Sequence, residues 1–181
     1  LPYKGPYADS KRLAEQEIKK SGLIYTIFRP ETIVGANAKD LGRAVKILQT
    51  KKFFPIFGSG ENLTQPIASE DLIAMIDYSV ANPITNNKIY PAVGKEAVSL
   101  KTFLNYIASK KNNKIKFIKI PMWLGRIIVK IANKINPRWG LNDERLNFMT
   151  YSRKFSLNFM EDFPLIKLRS LKKMSFPKGK T

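Results

Sequence analysis

Tyr7-Ala8-Asp9-Ser10-Lys11 sets a phenol and an ammonium four residues apart. On a helix that is one turn, so both side chains share a face, at roughly 5–6 Å between Cβ atoms. A nearby cation favours phenolate over phenol and brings a tyrosine from its ordinary value of about 10 toward working pH. Such a tyrosine gives and takes protons without histidine. This matters because the chain of 181 residues contains no histidine and no cysteine. Disulfide frameworks, cysteine zinc sites and thiol catalysis are excluded, and the usual general base is missing. Proton chemistry falls to Tyr, Lys, Asp or Glu, with Ser or Thr in support.

A second Tyr-x-x-x-Lys stands at Tyr106 to Lys110. In a chain so rich in lysine, chance alone yields about one such match, so context separates the two. Tyr106 falls among Phe103, Leu104 and Ile107, the spacing of an ordinary core stripe, and reads as structural. Tyr7 lies in a helical pattern from Ala8 to Ser21, with Leu13, Ala14, Glu17 and Ile18 at three and four spacings and Gly22 as the C-cap.

The elements that must position this helix alternate in type. Leu23 to Phe28 is a short apolar run suited to a buried strand, ended by Arg29-Pro30. A helix is predicted from Leu41 to Thr50, then a strand or turn through Phe53 to Gly60, then a short extended piece at Gln65 to Ala68. Ser69 reads as the N-cap of a helix to Ala81, with Glu70-Asp71 in its acidic first turn. Beyond Pro83 to Pro91 come a strand at Lys88 to Val93, a helix from Ser99 to Lys111, a half-exposed strand at Ile115 to Ile120, a helix from Pro121 to Ile135 and another starting at Asn142. The expected fold class is α/β: the C-terminal part of a doubly wound, largely parallel sheet, followed by a small α+β lobe.

Three segments in fixed order carry a resemblance. Pro2-Tyr3 and Pro6-Tyr7-Ala8-Asp9-Ser10-Lys11-Arg12-Leu13-Ala14-Glu15 resemble the active-site helix of the extended short-chain dehydrogenase/reductases, the NAD-dependent epimerase/dehydratase family. Gly22 to Gly35, containing Arg29-Pro30-Glu31-Thr32-Ile33, is similar to that family's strand and Arg-Pro loop beside the nicotinamide. Pro55 to Gly60 and Gln65 to Leu72 resemble its glycine turn and its strand-to-helix "V-x-D" segment. The rest of the chain fits loosely.

The resemblance implies a Rossmann-type fold and roles for individual residues. Tyr7 would be the general acid/base on a substrate hydroxyl or carbonyl. Lys11 would favour its phenolate and bond the nicotinamide ribose. Pro30 and the backbone at Glu31, Thr32 and Ile33 would pass the carboxamide end of NAD or NADP, which carries the hydride. No metal is implied. The implied partner is a small molecule, a nucleotide sugar or a related hydroxyl or carbonyl substrate, with a homodimer open for the complete enzyme and a cytoplasmic location.

Departures bear on each of these. The family's glycine fingerprint, on which pyrophosphate binding depends, is absent, and Gly58-Ser59-Gly60 is no substitute. The chain opens on Leu1 without an initiator Met and without the charged leader and apolar core of a signal peptide, so it reads as the C-terminal portion of something longer that binds cofactor poorly alone. Thr32 and Thr64-Gln65 stand where many nucleotide-sugar enzymes of the family carry Asn and Arg, which removes the expected guanidinium clamp on a diphosphate. Relatives resembling the complex I accessory-subunit branch or a sterol- or flavonoid-type reductase stay open.

The net charge of +18 is unevenly placed. Residues 1–90 hold 12 basic and 9 acidic groups, and residues 91–181 hold 20 and 5. The division read from this is a cofactor-domain portion at 1–90, a basic substrate-lobe region at 91–163 and a loosely anchored basic tail at 164–181. Within the basic half, Trp123, Leu124, Ile127, Ile128, Ile131 and Ile135 form an apolar stripe beside Arg126, Lys130 and Lys134. Core packing is the expected use of such a stripe, and contact with an anionic membrane is the alternative, which belongs to a second reading of the chain as a noncatalytic interaction or membrane-surface module. No aromatic-interleaved RNA signature or helix-turn-helix pattern accompanies the lysine runs, so nucleic acid is not an expected partner. No run of about 18 or more apolar residues occurs.

Overall fold

The structure, a computed structural model, describes residues 5–135 and 143–177. Pro2-Tyr3 of the first motif and the expected helix start at Asn142 lie outside the described residues.

Helix α1 (Pro6–Lys20) begins with proline in its first turn and ends with Lys19 and Lys20 facing the negative end of its dipole. The Ser21 hydroxyl donates to the Ile18 carbonyl at 2.7 Å and closes the helix, and Gly22 follows at φ +74°. The predicted cap thus shifts by one residue, with glycine in the left-handed position just after it. Of α1 only Ala8 is buried.

Strand β1 (Thr26–Pro30) lies parallel to β6 (Lys88–Ala92), with Phe28 opposite Tyr90. The strand starts three residues later than the apolar run suggested. Leu23 and Ile24, each 72% exposed, precede it because pairing with β6 begins only at Thr26. Strands β2 (Ile33–Val34) and β5 (Ile67–Ala68) form a second parallel pair. The third parallel pair is β3 (Phe53–Phe57) with β8 (Lys116–Ile120), and β4 (Leu63–Thr64) with β7 (Val98–Ser99) is antiparallel. Helices α2 (Lys39–Thr50) and α4 (Leu100–Ser109) pack on each other, and α3 (Ser69–Ala81) follows β5 directly. The order is α/β with three parallel pairs among the described strands, as the alternation of patterns predicts.

One cap differs from expectation. Ser69 is the first residue of α3 and its hydroxyl faces Glu70 at 3.1 Å, with Ala68 as the N-cap. Ser99 does cap α4, accepting from the Thr102 amide at 3.1 Å. The glycine turn after β3 forms through Gly58 and Gly60, at φ +73° and +76°, a region costly for any residue with a Cβ.

The core has two parts. One gathers Val45 and Leu48 of α2, Phe103 and Ile107 of α4, and Leu171 and Met174 from the end of the chain. The other centres on Phe163, packed against Tyr90, Met75 and Ile67. Both contain residues from the segment expected to be a basic tail beyond Pro164 or from its approach. That expectation is overturned for the described residues up to 177. Leu171 and Met174 are buried, the Arg169 amide donates to the Asp71 carboxylate at 2.7 Å while its guanidinium pairs with the same group, and the Leu171 amide donates to Glu96 at 2.9 Å. Apolar residues at wide spacing between lysines hid this strap, because no local period marks a segment that packs as an irregular chain.

Further anchoring comes from Asp162. It accepts from the Tyr90 hydroxyl at 2.6 Å and pairs with Lys88 at 2.8 Å. The Lys88 and Tyr90 hydrogen bonds hold its carboxyl below the usual carboxylate range, and burial together with Asp162 pushes the Tyr90 phenol up. A depressed carboxyl stabilises the fold fully above its unfolded value of about 4, and the contribution disappears as pH falls through the depressed folded value. Asp162→Asn is therefore expected to lose about 1–2 kcal/mol at neutral pH and to converge on the parent protein as pH falls through the depressed carboxyl range, measured by chemical denaturation across pH. A constant gap at every pH would show that the charge of Asp162 is not what stabilises.

Candidate functional site

Tyr7, Lys11 and Glu15 follow one another at four-residue steps along α1 and so form one stripe of the helix. Tyr7 is 61% exposed, and the Lys11 ammonium lies 5.6 Å from the centre of its ring. Glu15 ends the stripe in a two-pronged bond to Arg29, from Nε at 2.9 Å and Nη2 at 2.5 Å. The Arg29 hydrogen bond lowers the Glu15 carboxyl and Glu15 in turn raises the guanidinium. Arg29 immediately precedes Pro30, the last residue of β1. The planar fork of arginine therefore ties the Tyr7–Lys11 face of α1 to the loop Glu31-Thr32-Ile33.

That loop is held from behind. The Glu31 amide donates to the Ala92 carbonyl at 3.1 Å, and the Ile67 amide donates to the Thr32 carbonyl at 2.9 Å. The Glu31 carboxylate turns inward, accepting from the Thr32 amide at 2.5 Å and the Thr64 hydroxyl at 2.8 Å, and it pairs with Arg153 at 2.7 Å. Both charged side chains are almost fully buried. Ile33 remains partly exposed. The structure thus assembles two groups: Tyr7 and Lys11 on one helix face, and Glu31, Thr32 and Thr64 around Arg153. The Arg29–Glu15 fork is the described link between them.

Arg153 and the inward role of Glu31 were not legible in the sequence. A guanidinium is missing before the strand at Thr64, yet one arrives beside Thr64 from a distant part of the chain. Its charge is matched by Glu31, and a buried carboxylate and guanidinium require such mutual neutralisation. A charged residue directly after an Arg-Pro strand end, with no local partner, is the only signal that could have prompted a search. The second Tyr-x-x-x-Lys resolves as predicted: Tyr106 is half-buried and donates to the Lys172 carbonyl at 3.1 Å, so its hydroxyl serves the fold.

Gln65 completes the frame. Its side-chain amide donates to the Gly94 carbonyl at 2.8 Å, its side-chain oxygen accepts from the Phe155 amide at 2.8 Å, and its own carbonyl accepts from the Gly94 amide at 3.1 Å. The backbones approach so closely that a Cβ on Gly94 would stand 1.9 Å from the Pro66 carbonyl oxygen. Gly94→Ala is expected to cost about 3 kcal/mol, the upper end of overpacking penalties, and to lower the melting temperature by roughly 6–12 °C. An unshifted melting curve would show that the two backbones separate freely.

With this geometry in view, comparison with known proteins is informative at the level of fold. No family model matches the chain, and no curated protein matches it. Solved structures do. A nucleoside-diphosphate-sugar epimerase from Staphylococcus aureus is similar with a TM-score of 0.66 at 15% identity, over 89% of this chain and 55% of that one. The fold is Rossmann-type. A dTDP-4-dehydrorhamnose reductase from Bacillus anthracis in complex with NADP gives a TM-score of 0.64 at 16% identity, over 92% of this chain and 51% of that one. A UDP-glucose 4-epimerase from Thermotoga maritima, solved with UDP-glucose, gives 0.51 at 13% identity, over 63% of this chain and 38% of that one. This chain spans about half the length, or less, of these Rossmann-type enzymes. Among the described residues, no helix is long and apolar enough to cross a membrane.

Proposed function

We propose that the chain is the C-terminal portion of an NAD(P)-dependent epimerase, dehydratase or reductase acting on a nucleotide sugar. The reading rests on the Tyr7–Lys11–Glu15 stripe, whose first two residues stay accessible while the third is forked to the strand end beside the Arg-Pro loop. A Rossmann-type fold shared with nucleotide-sugar enzymes supports it.

The residues present fit part of a dinucleotide. Lys11 offers an exposed ammonium to ribose hydroxyls, and Ile33 offers an accessible apolar wall for a ring, whereas the glycine turn that a pyrophosphate needs is not among these segments. The cofactor, when bound, supplies the hydride chemistry. Tyr7 takes the proton from a substrate hydroxyl at its Oη, or returns it to a carbonyl oxygen, and Lys11 compensates the charge left on the phenolate. Arg29 and Glu15 keep that Oη at a set position relative to the loop. Glu31 and Arg153 hold the loop itself, acting as positioning residues.

The test is to incubate the full-length protein with NAD or NADP and a panel of UDP- and dTDP-sugars, following nicotinamide absorbance and resolving products by chromatography. Conversion of at least one sugar is the expected result. Cofactor bound without any conversion across sugars and simple carbonyl compounds would overturn the reading.

A further inference from the structure

Helix α5 (Met122–Ile135) leaves all of its bulky apolar stripe but the half-buried Leu124 exposed. The buried positions are Gly125, Val129 and Ala132, all small. They bring the helix down on Phe57 and Leu146 so closely that a Cβ on Gly125 would stand 2.9 Å from the Phe57 ring. The stripe expected to enter the core faces out instead: Trp123 is 65% exposed, Ile131 53% and Ile135 71%, with Ile127 and Ile128 also exposed. Small side chains permit the closest approach of backbone to core, and the helix takes that face at the expense of the larger one.

Arg126, Lys130 and Lys134 run at four-residue steps beside the exposed apolar arc, and α5 has no acidic residue. Among the described residues, none of the three makes an ion pair. We propose that the outer face of α5 lies in the headgroup region of an anionic lipid surface. Trp123, Ile127, Ile131 and Ile135 would enter the acyl boundary, and the three cations would reach back to the headgroups. Charge complementarity selects this occupant. A second copy of the chain docked on the same face by two-fold symmetry would set Arg126, Lys130 and Lys134 against their own images with no carboxylate on α5 to offset them. The helix has 14 residues, a length of about 21 Å, which suits lying in the interface rather than crossing it. The basic balance of residues 91–181 adds attraction of the same sign. This inference does not depend on the enzymatic reading.

Flotation of the protein with phosphatidylcholine vesicles, with and without phosphatidylglycerol, tests it. Binding is expected only to the anionic vesicles, to weaken with added salt, and to fall at least about tenfold in Lys130→Glu/Lys134→Glu. Ile127→Ser/Ile131→Ser, at two further exposed positions, is expected to lose binding as well, and brominated lipid is expected to quench the native protein more than Trp123→Phe. Circular dichroism confirms that each variant folds. No binding to anionic vesicles overturns the proposal. So does binding indifferent to the isoleucine changes, which would be adsorption by charge alone. So does a concentration-dependent dimer in light scattering that the isoleucine changes dissolve, which would assign the face to a second copy.

Discussion

Truncating Phe163 to alanine is expected to cost about 3–5 kcal/mol, the range for emptying the site of a fully buried ring. Phe163 has no exposed surface, and its ring lies 4.9 Å from Tyr90 in an edge-to-face arrangement, 5.6 Å from Tyr78 and 6.2 Å from Phe28. These partners come from β6, α3 and β1, so a single side chain closes three elements over one another. The surrounding rings are large and already in contact on several sides, which leaves little freedom to collapse into the vacancy. Against a typical total stability of about 5–15 kcal/mol, the loss is a large fraction. Chemical denaturation measures it, and limited proteolysis locates it, since cleavage at Lys167 and Arg169 should accelerate once the strap beyond Phe163 detaches. Phe163→Leu keeps most of the volume and should lose much less. A loss under about 1 kcal/mol for the alanine variant would contradict the packing described.

Tyr7→Phe in the full-length protein is expected to reduce kcat by roughly 10²–10⁴-fold, the contribution of a positioned general acid/base. The substitution deletes one oxygen and keeps the ring over which Lys11 lies, so α1 and its Arg29 fork are undisturbed. Because Tyr7 is exposed and outside the core, the melting temperature should hold. Cofactor affinity, which the reading assigns mainly to Lys11 and to upstream segments, should stay within a few-fold. Lys11→Ala should weaken both affinity and turnover, separating the two roles. Undiminished turnover in the phenylalanine variant would remove Tyr7 from the chemistry while leaving the fold assignment intact.

The local features were readable in the chain because their physics is local. Four-residue spacing places Tyr7, Lys11 and Glu15 on one stripe wherever the helix sits. Ser99 caps α4 because its hydroxyl reaches an amide three residues on, and Gly58 and Gly60 make a turn because each adopts a positive φ. Strand and helix alternation carried the α/β class for the same reason. Errors of one to three residues at Ser21, Thr26 and Ser69 arose where a partner strand or a neighbouring side chain sets the boundary.

What the tertiary structure alone decided concerns pairs far apart in the chain and the choice among faces. Arg153 meets Glu31 because two buried charges of opposite sign are tolerated only together, and the partly exposed Arg169 reaches in to the buried Asp71 because a buried carboxylate needs a partner; no short-range pattern announces either meeting. The segment after Pro164 packs as an irregular strap, so its burial left no period to read. Helix α5 shows the limit most plainly. Its sequence displays one bulky apolar face and one small-residue face, both able to meet a core, and the space over Phe57 and Leu146 admitted the small one. Amphipathic spacing states that an apolar surface exists; only the shape of what lies opposite determines whether protein covers it.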